Sequence, residues 1–260
     1  MKKTVSEIYI YPVKSCRGVE LDSAKLTERG LEYDRQWMVV DNDGKLLSQR
    51  ECPKMALIQV SLEEELLVLS APGVSRFDMS SHCGGDKVEV SVHKKKRPAI
   101  SQDKRAGWWL SFFLGVKCHL VRVSREGFAD AYPYLIISDA SLDDLNSRIK
   151  DPDKQVPMDR FRPNIVVSGC KPYEEDSWKM VKIGKAEVQG EALCPRCTIP
   201  LVDQETGEVK SKEPIKTLST YRSRPKPNKR GKIVVFGKYF TYLSCGEIRV
   251  GNKVKVITTV

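Results

Sequence analysis

The residues of this chain best suited to chemistry are Leu193-Cys194-Pro195-Arg196-Cys197. Two thiols with a cation between them favour a thiolate, which is both a nucleophile and a soft-metal ligand. Three functional readings stay open on these residues alone. Half of a tetrahedral zinc site needs a second ligand pair, and the histidines, at 82, 93 and 119, supply none nearby. A thioredoxin-like dithiol opens a helix after a strand, whereas Thr198-Ile199-Pro200-Leu201-Val202 reads as a strand itself. The third is one thiolate ligand to a metal cofactor held mainly by other groups. Two reduced thiols in a turn without function stand beside all three.

Two further clusters carry donors. Pro12-Val13-Lys14-Ser15-Cys16-Arg17-Gly18 leaves a strand with donors able to collect a phosphate, although a solvated basic turn explains the composition as well. Its spacing matches neither a P-loop nor a dinucleotide fingerprint. Arg160-Phe161-Arg162-Pro163-Asn164 puts two guanidinium groups and an amide before an apolar strand, fit for a phosphate, a carboxylate or an ion pair. Asp203-Gln204-Glu205-Thr206-Gly207 lacks the ligand spacing of a calcium loop and predicts a hairpin turn with Gly207 left-handed. The runs His93–Arg97 and Tyr221–Lys232, the latter with six positive charges, lack interleaved aromatics for base stacking. They read as solvated faces or as docking surface for an acidic partner.

Positioning these groups falls mainly to strands. Val5 to Tyr11 is β-branched and aromatic and stops at Pro12, and Trp37–Val40 runs through Asp41-Asn42-Asp43-Gly44 towards Leu46-Leu47 as a hairpin. Met55–Leu62 and Leu66–Ser70 follow, and Val88, Val90 and Val92 alternate with Glu89 and Ser91 as a half-buried strand does. Two helices are predicted, one capped by Ser101 with Ala106, Trp109, Leu110 and Phe113 on one face and Gly115 at its end. The other is capped by Ser138, with Leu142, Leu145 and Ile149 at helical spacing. Beyond residue 155 the runs at Asn164–Val167, Val181–Val188, Ile233–Phe236 and Ile248–Val256 predict strands again. The expectation is a mainly β protein, rich in β-barrel, with a few helices. Its units are an N-terminal β-barrel over 1–95, a helical connector over 96–125 and a second barrel domain over 126–260.

Composition narrows the class. The 260 residues include 40% hydrophobic and 30% charged residues, which excludes disordered chains, collagens and coiled-coil rods. No apolar run approaches the ~18–20 residues that span a bilayer, and the start lacks a signal-peptide core. With eight cysteines and no secretory signal, reduced thiols and a cytoplasmic location are expected. Lys and Arg number 44 against 34 Asp and Glu, a formal charge of +10 that favours an anionic partner.

Taken in order, the pieces resemble a known family. Ile10-Tyr11-Pro12-Val13-Lys14-Ser15-Cys16-Arg17-Gly18 with Asp34-Arg35-Gln36-Trp37 is similar to the β-barrel that precedes MOSC domains. Leu135–Leu142, Arg162–Cys170, Asp176-Ser177-Trp178, Cys194–Cys197, Val202-Asp203, Thr206-Gly207, Lys212-Glu213-Pro214 and Phe236-Gly237 continue the likeness over nearly the whole chain. Within the family it resembles the amidoxime-reducing components, molybdenum enzymes that reduce N-hydroxylated compounds.

That resemblance implies a molybdenum cofactor of the molybdopterin type, lying in the groove between the N-terminal barrel and the MOSC domain. It implies that Cys197 is the thiolate on the metal, and that Lys14, Ser15, Arg35, Arg162, Asn164, Pro195 and Arg196 contact pterin and phosphate. The implied reaction is two-electron reduction of an N–O bond in amidoximes, hydroxylamines or N-oxides, giving amine and water. Asp130 keeps the family's carboxylate and is expected to relay protons, while Ala131 and Tyr132 stand where relatives carry a small hydroxyl residue. No cysteine follows Cys245 to bind an iron–sulfur cluster. Electrons are therefore expected from another protein, a cytochrome b5 type donor fed by an NADH-dependent reductase. Two alternatives belong to other classes: a molybdenum cofactor carrier or sulfur-transfer module, and, more distantly, a basic nucleic-acid-binding protein.

Overall fold

Tyr134–Ser138 is an almost wholly apolar strand, and every one of its residues is buried. The computed structural model, which describes residues 2–82, 84–93, 95–123, 131–226 and 230–260, explains why. Tyr134 and Ile136 join a core with Val5, Ile8, Trp178, Val188 and Phe240. Leu135 and Ile137 face the other way, into a second core with Leu145, Phe161, Cys194 and Phe236. A strand covered on both faces reads as a continuous apolar run rather than as an alternation.

This strand sits inside the largest sheet. Its order is Val254–Thr259, Trp178–Ile183, Ala186–Pro195, Lys232–Ser244, Tyr134–Ser138, Ile165–Ser168, Thr4–Ile10 and Val19–Glu20, with Ser223–Pro225 pairing beside Lys232–Ser244. Tyr134–Ser138 and Ile165–Ser168 run parallel. Helix α1 (Lys104–Leu114) belongs to the other half; α2 (Asp139–Arg148) lies between those two parallel strands, and α3 (Ile215–Tyr221) precedes the long strand. Ser138 caps α2 as expected, its side chain accepting from Ser141 N–H. The first strand, Thr4–Ile10, pairs antiparallel with Ile165–Ser168, so the N-terminus completes the sheet of the C-terminal half.

Ser23–Thr27 pairs with Gly30–Leu31 and with Gly246–Arg249 of the C-terminal half, and the other N-terminal strands form sheets of their own. Trp37–Asp41, Cys118–Val123, Lys95–Ser101 and Lys87–Val92 make one, and Gln59–Glu63, Leu66–Ala71 and Val74–Ser80 another. Helix α1 seals them with Ala106, Leu110 and Leu114 against Trp37, Val39, Met55 and Leu67. Residues 96–125, expected as a helical connector, hold this helix and the two strands that flank it in the four-stranded sheet.

The mainly β expectation holds, with local differences. Asp103, not Ser101, caps α1, because its carboxylate accepts Arg105 N–H; the helix does end on left-handed Gly115. Met55–Leu62 divides into a 3-10 turn, Pro53–Leu57, and the strand Gln59–Glu63. Val181–Val188 divides at left-handed Gly184, and Ile248–Val256 likewise holds two strands. No helix among the described residues is long and apolar enough to cross a membrane.

Candidate functional site

One open cleft collects the residues that sequence singled out. Lys14, Ser15 and Arg35 come from the N-terminal half, and Arg162, Asn164, Pro195, Arg196 and Cys197 from the C-terminal half. Asp130 lies outside the described residues.

The floor is laid by two short segments running side by side. Arg35 N–H donates to Tyr11 O at 3.0 Å, Trp37 N–H to Pro12 O at 3.0 Å, and Lys14 N–H to Trp37 O at 2.8 Å. Ser15, Arg35 and Arg162 all adopt left-handed backbone, with φ of 70°, 51° and 54°. For non-glycine residues this conformation costs about 1–2 kcal/mol each and persists where the surroundings over-determine it. Those surroundings are visible. Ser15 O accepts Gln49 Nε2–H at 2.9 Å, and Arg162 N–H donates to Asp159 O at 3.1 Å. Gln49 and Gln204, both buried, exchange amide hydrogen bonds of 3.0 Å in each direction, tying the two halves together beside the cleft.

The cations of the floor are stacked as well as paired. The Tyr11 ring, fully buried, carries the Arg35 guanidinium at 4.8 Å and that of Arg162 at 4.1 Å from its centroid. Arg35 also pairs with Asp34, and its Nη1 and Nη2 lie 3.4 Å from Asn164 Oδ1 and Arg162 O. Asn164 is fixed in turn: its Oδ1 accepts Leu135 N–H at 3.2 Å and its Nδ2 donates to Tyr9 O at 3.2 Å. Burial lowers the pKa of the Arg162 guanidinium, and the Arg35 charge lowers it further. Burial raises the Tyr11 pKa, so the ring remains a neutral phenol.

Three buried donors stand out. Arg160 Nε, Arg162 Nη2 and Arg196 Nη2 have no hydrogen-bond partner among the described residues. A buried guanidinium N–H without an acceptor is costly, and all three residues line the cleft. The arrangement suits an anion or a carbonyl-rich group.

The two cysteines of the motif part company. Cys194 is 1% exposed and packs with Leu135, Phe161 and Phe236, whereas Cys197 is exposed. Cys197 Sγ accepts Ile199 N–H at 3.5 Å. The intervening Arg196 turns elsewhere, stacking on Phe161 at 5.2 Å and donating to Phe161 O and Phe236 O at 3.0 and 3.1 Å. The following segment is not a strand: Ile199–Leu201 is a 3-10 turn, with Arg160 donating to Leu201 O at 3.2 Å. A third thiol, Cys16 behind Ser15, is fully buried, and burial pushes its pKa up to about 12.

Other expectations resolve on local geometry. Asp203 accepts the Glu205 and Thr206 N–H groups and pairs with Arg160, and Gly207 is left-handed, so this segment is a turn. No cluster of three or more His, Cys, Asp or Glu side chains fit for a metal ion occurs among the described residues, which leaves the zinc reading without its second ligand pair. Ser48, Arg50, Tyr132, Ile199, Pro200 and Tyr239 also line the cleft. Nothing in their spacing marks them. Arg160, two positions before Arg162, lies within the Arg-Phe-Arg motif.

Comparison with known proteins follows the same division. Residues 2–117 match the MOSC N-terminal beta barrel domain and residues 124–255 the MOSC domain. The chain is 35% identical over 282 residues to mitochondrial amidoxime-reducing component 1 of Mus musculus, covering 98% of this chain and 82% of that protein. It is 33% identical over 285 residues to the Homo sapiens protein of the same name, covering 98% and 83%. It is also 35% identical over 280 residues to molybdenum cofactor sulfurase of Oryza sativa subsp. japonica, covering 93% of this chain and 33% of that longer protein.

Proposed function

Because the chain belongs to the MOSC-domain family, in the form that carries a MOSC N-terminal β-barrel, we propose that it is a molybdenum-cofactor-dependent oxidoreductase reducing N-hydroxylated compounds. The observation that carries this reading is the pairing of three buried, unpartnered arginine donors with an exposed thiol across one cleft. Such a set fits a group with an anionic phosphate at one end and a thiophilic metal at the other. Lys14, Ser15, Arg35, Arg162, Asn164, Pro195 and Arg196 are the residues we assign to pterin and phosphate, and Cys197 to the metal. When bound, the cofactor supplies the two-electron chemistry that takes an N–O bond to amine and water.

The chain's own share is to hold and orient. The floor presents its guanidinium groups on fixed backbone, so little conformational freedom is lost when an anion arrives. Leaving the lip thiol exposed keeps one face of the site open to a small substrate. The reaction consumes protons, and we assign their delivery to Asp130 on the resemblance alone. A formal charge of +10 suits an acidic donor of electrons, for which we propose a cytochrome b5 type protein served by an NADH-dependent reductase.

A second reading, a molybdenum cofactor carrier or sulfur-transfer module, has one observation in its favour: the match to a part of the rice molybdenum cofactor sulfurase. Chain purified from a host that makes the cofactor separates the two. Near-stoichiometric molybdenum together with reduction of an amidoxime to its amidine supports the enzyme. Molybdenum without N–O reduction transfers the function to a carrier, and well-folded chain without molybdenum overturns both.

A further inference from the structure

Tyr11 does not line the cleft, yet both floor arginines rest on it. Two guanidinium groups on one buried ring repel each other, and whereas Arg35 donates to Asp34, Asn164 Oδ1 and Arg162 O, Arg162 Nη2 has no hydrogen-bond partner among the described residues. What they share is the ring, whose negative π-face attracts each cation and fixes the plane in which it lies. The ring is held by the same segments that it organises. Tyr11 N–H donates to Asp34 Oδ1 at 2.8 Å, and its hydroxyl donates to Pro163 O at 3.0 Å, next to Arg162. Tyr11 O accepts from Arg35 N–H at 3.0 Å. Gly18 closes the packing: a Cβ there would stand 2.6 Å from ring Cε1.

We propose that Tyr11 is a positioning residue of the cleft, a cation–π platform that holds Arg35 and Arg162 side by side so that both meet the anionic end of one ligand. The inference rests on the molybdenum cofactor reading for the identity of that ligand. Tyr11 acts through the arginines and touches no reacting atom. Its hydroxyl anchors the ring to Pro163, while the ring face does the holding, and the two roles are separable by chemistry.

The test replaces Tyr11 first by Phe and then by mono-, di- and trifluorinated phenylalanine, which keep the ring's shape while weakening its π-face. Affinity of the cofactor-free chain for molybdopterin is measured, with molybdenum content and thermal unfolding followed in parallel. Tyr11→Phe should retain the cofactor within about twofold, and affinity should then fall stepwise with fluorination, by about tenfold across the series. Unfolding midpoints should stay level within the fluorinated set. A flat series, in chain whose wild type holds the cofactor, overturns the platform and leaves the cofactor reading standing. Wild-type chain that binds no molybdopterin brings down the cofactor reading and this inference with it.

Discussion

At the cleft floor, Ser15, Arg35 and Arg162 sit in left-handed backbone, pinned by Gln49, Tyr11 and Asp159. At its lip, the Cys197 sulfur is exposed and accepts one long bond from Ile199 N–H. The floor is strained and its backbone is pinned, while buried guanidinium donors on it await an acceptor; the lip is relaxed and open. The contrast separates two tasks. Recognition of a large anionic ligand gains from groups fixed beforehand, because less freedom is lost on binding. A thiol that must reach a metal gains from exposure. Cys194, three residues away, shows the same chemistry put to the opposite use as core.

If that division is right, the largest single effect belongs to the lip. Cys197→Ser should lower N–O reduction by at least about 100-fold with an unchanged unfolding midpoint, since the side chain is exposed. A greater loss of activity in Cys194→Ser would reverse the assignment of the two thiols. On the floor, Arg162→Lys keeps the charge but loses the planar fork and its stack on Tyr11. A charge-assisted hydrogen bond is worth about 1.5–3 kcal/mol, so cofactor affinity should fall roughly 10- to 150-fold. Retention at the wild-type level would mean that the floor recognises charge alone.

Gly18→Ala probes the support beneath. Its new methyl meets the Tyr11 ring, so denaturant unfolding should show a loss of about 1–3 kcal/mol, with lower cofactor content. Lost stability with full cofactor content would uncouple the ring's position from binding. The smallest effect is expected for Cys194→Ser, which puts a hydroxyl among Leu135, Phe161 and Phe236. Stability should drop by about 1–2 kcal/mol, while activity per bound cofactor stays constant. A change in that specific activity would bring the buried thiol into the site.

Legibility in the sequence follows how local the cause is. Val88–Val92 reads as a half-buried strand because its alternation is a property of the strand alone, and Val90 and Val92 are indeed buried. Gly115 and Ser138 end and begin helices through contacts within a few residues. Thr198–Val202 misleads because its β-branched composition is overridden by Pro200, which has no N–H for a ladder, and by Arg160 reaching its carbonyls from outside. The site shows the same gradient. Lys14, Arg162 and Cys197 announce themselves by type, and the resemblance grouped them. Tyr11 stayed hidden, since its stacking partners lie 24 and 151 positions away along the chain. The Gln49–Gln204 clasp, spanning 155 positions, was hidden for the same reason.

The pairing of Thr4–Ile10 with Ile165–Ser168 also sets an order of events at the ribosome. At synthesis rates of about 5–20 residues per second, the first strand waits roughly 8–30 s for its partner to be made. Until then its neighbour is the two-residue Val19–Glu20, and Val5, Ile8 and Ile10 have no core to enter. An exposed apolar strand edge of that kind invites pairing with other chains. The nascent protein therefore passes through an aggregation-prone interval, and a chain cut short before Ile165 keeps its first strand without the long partner that covers it.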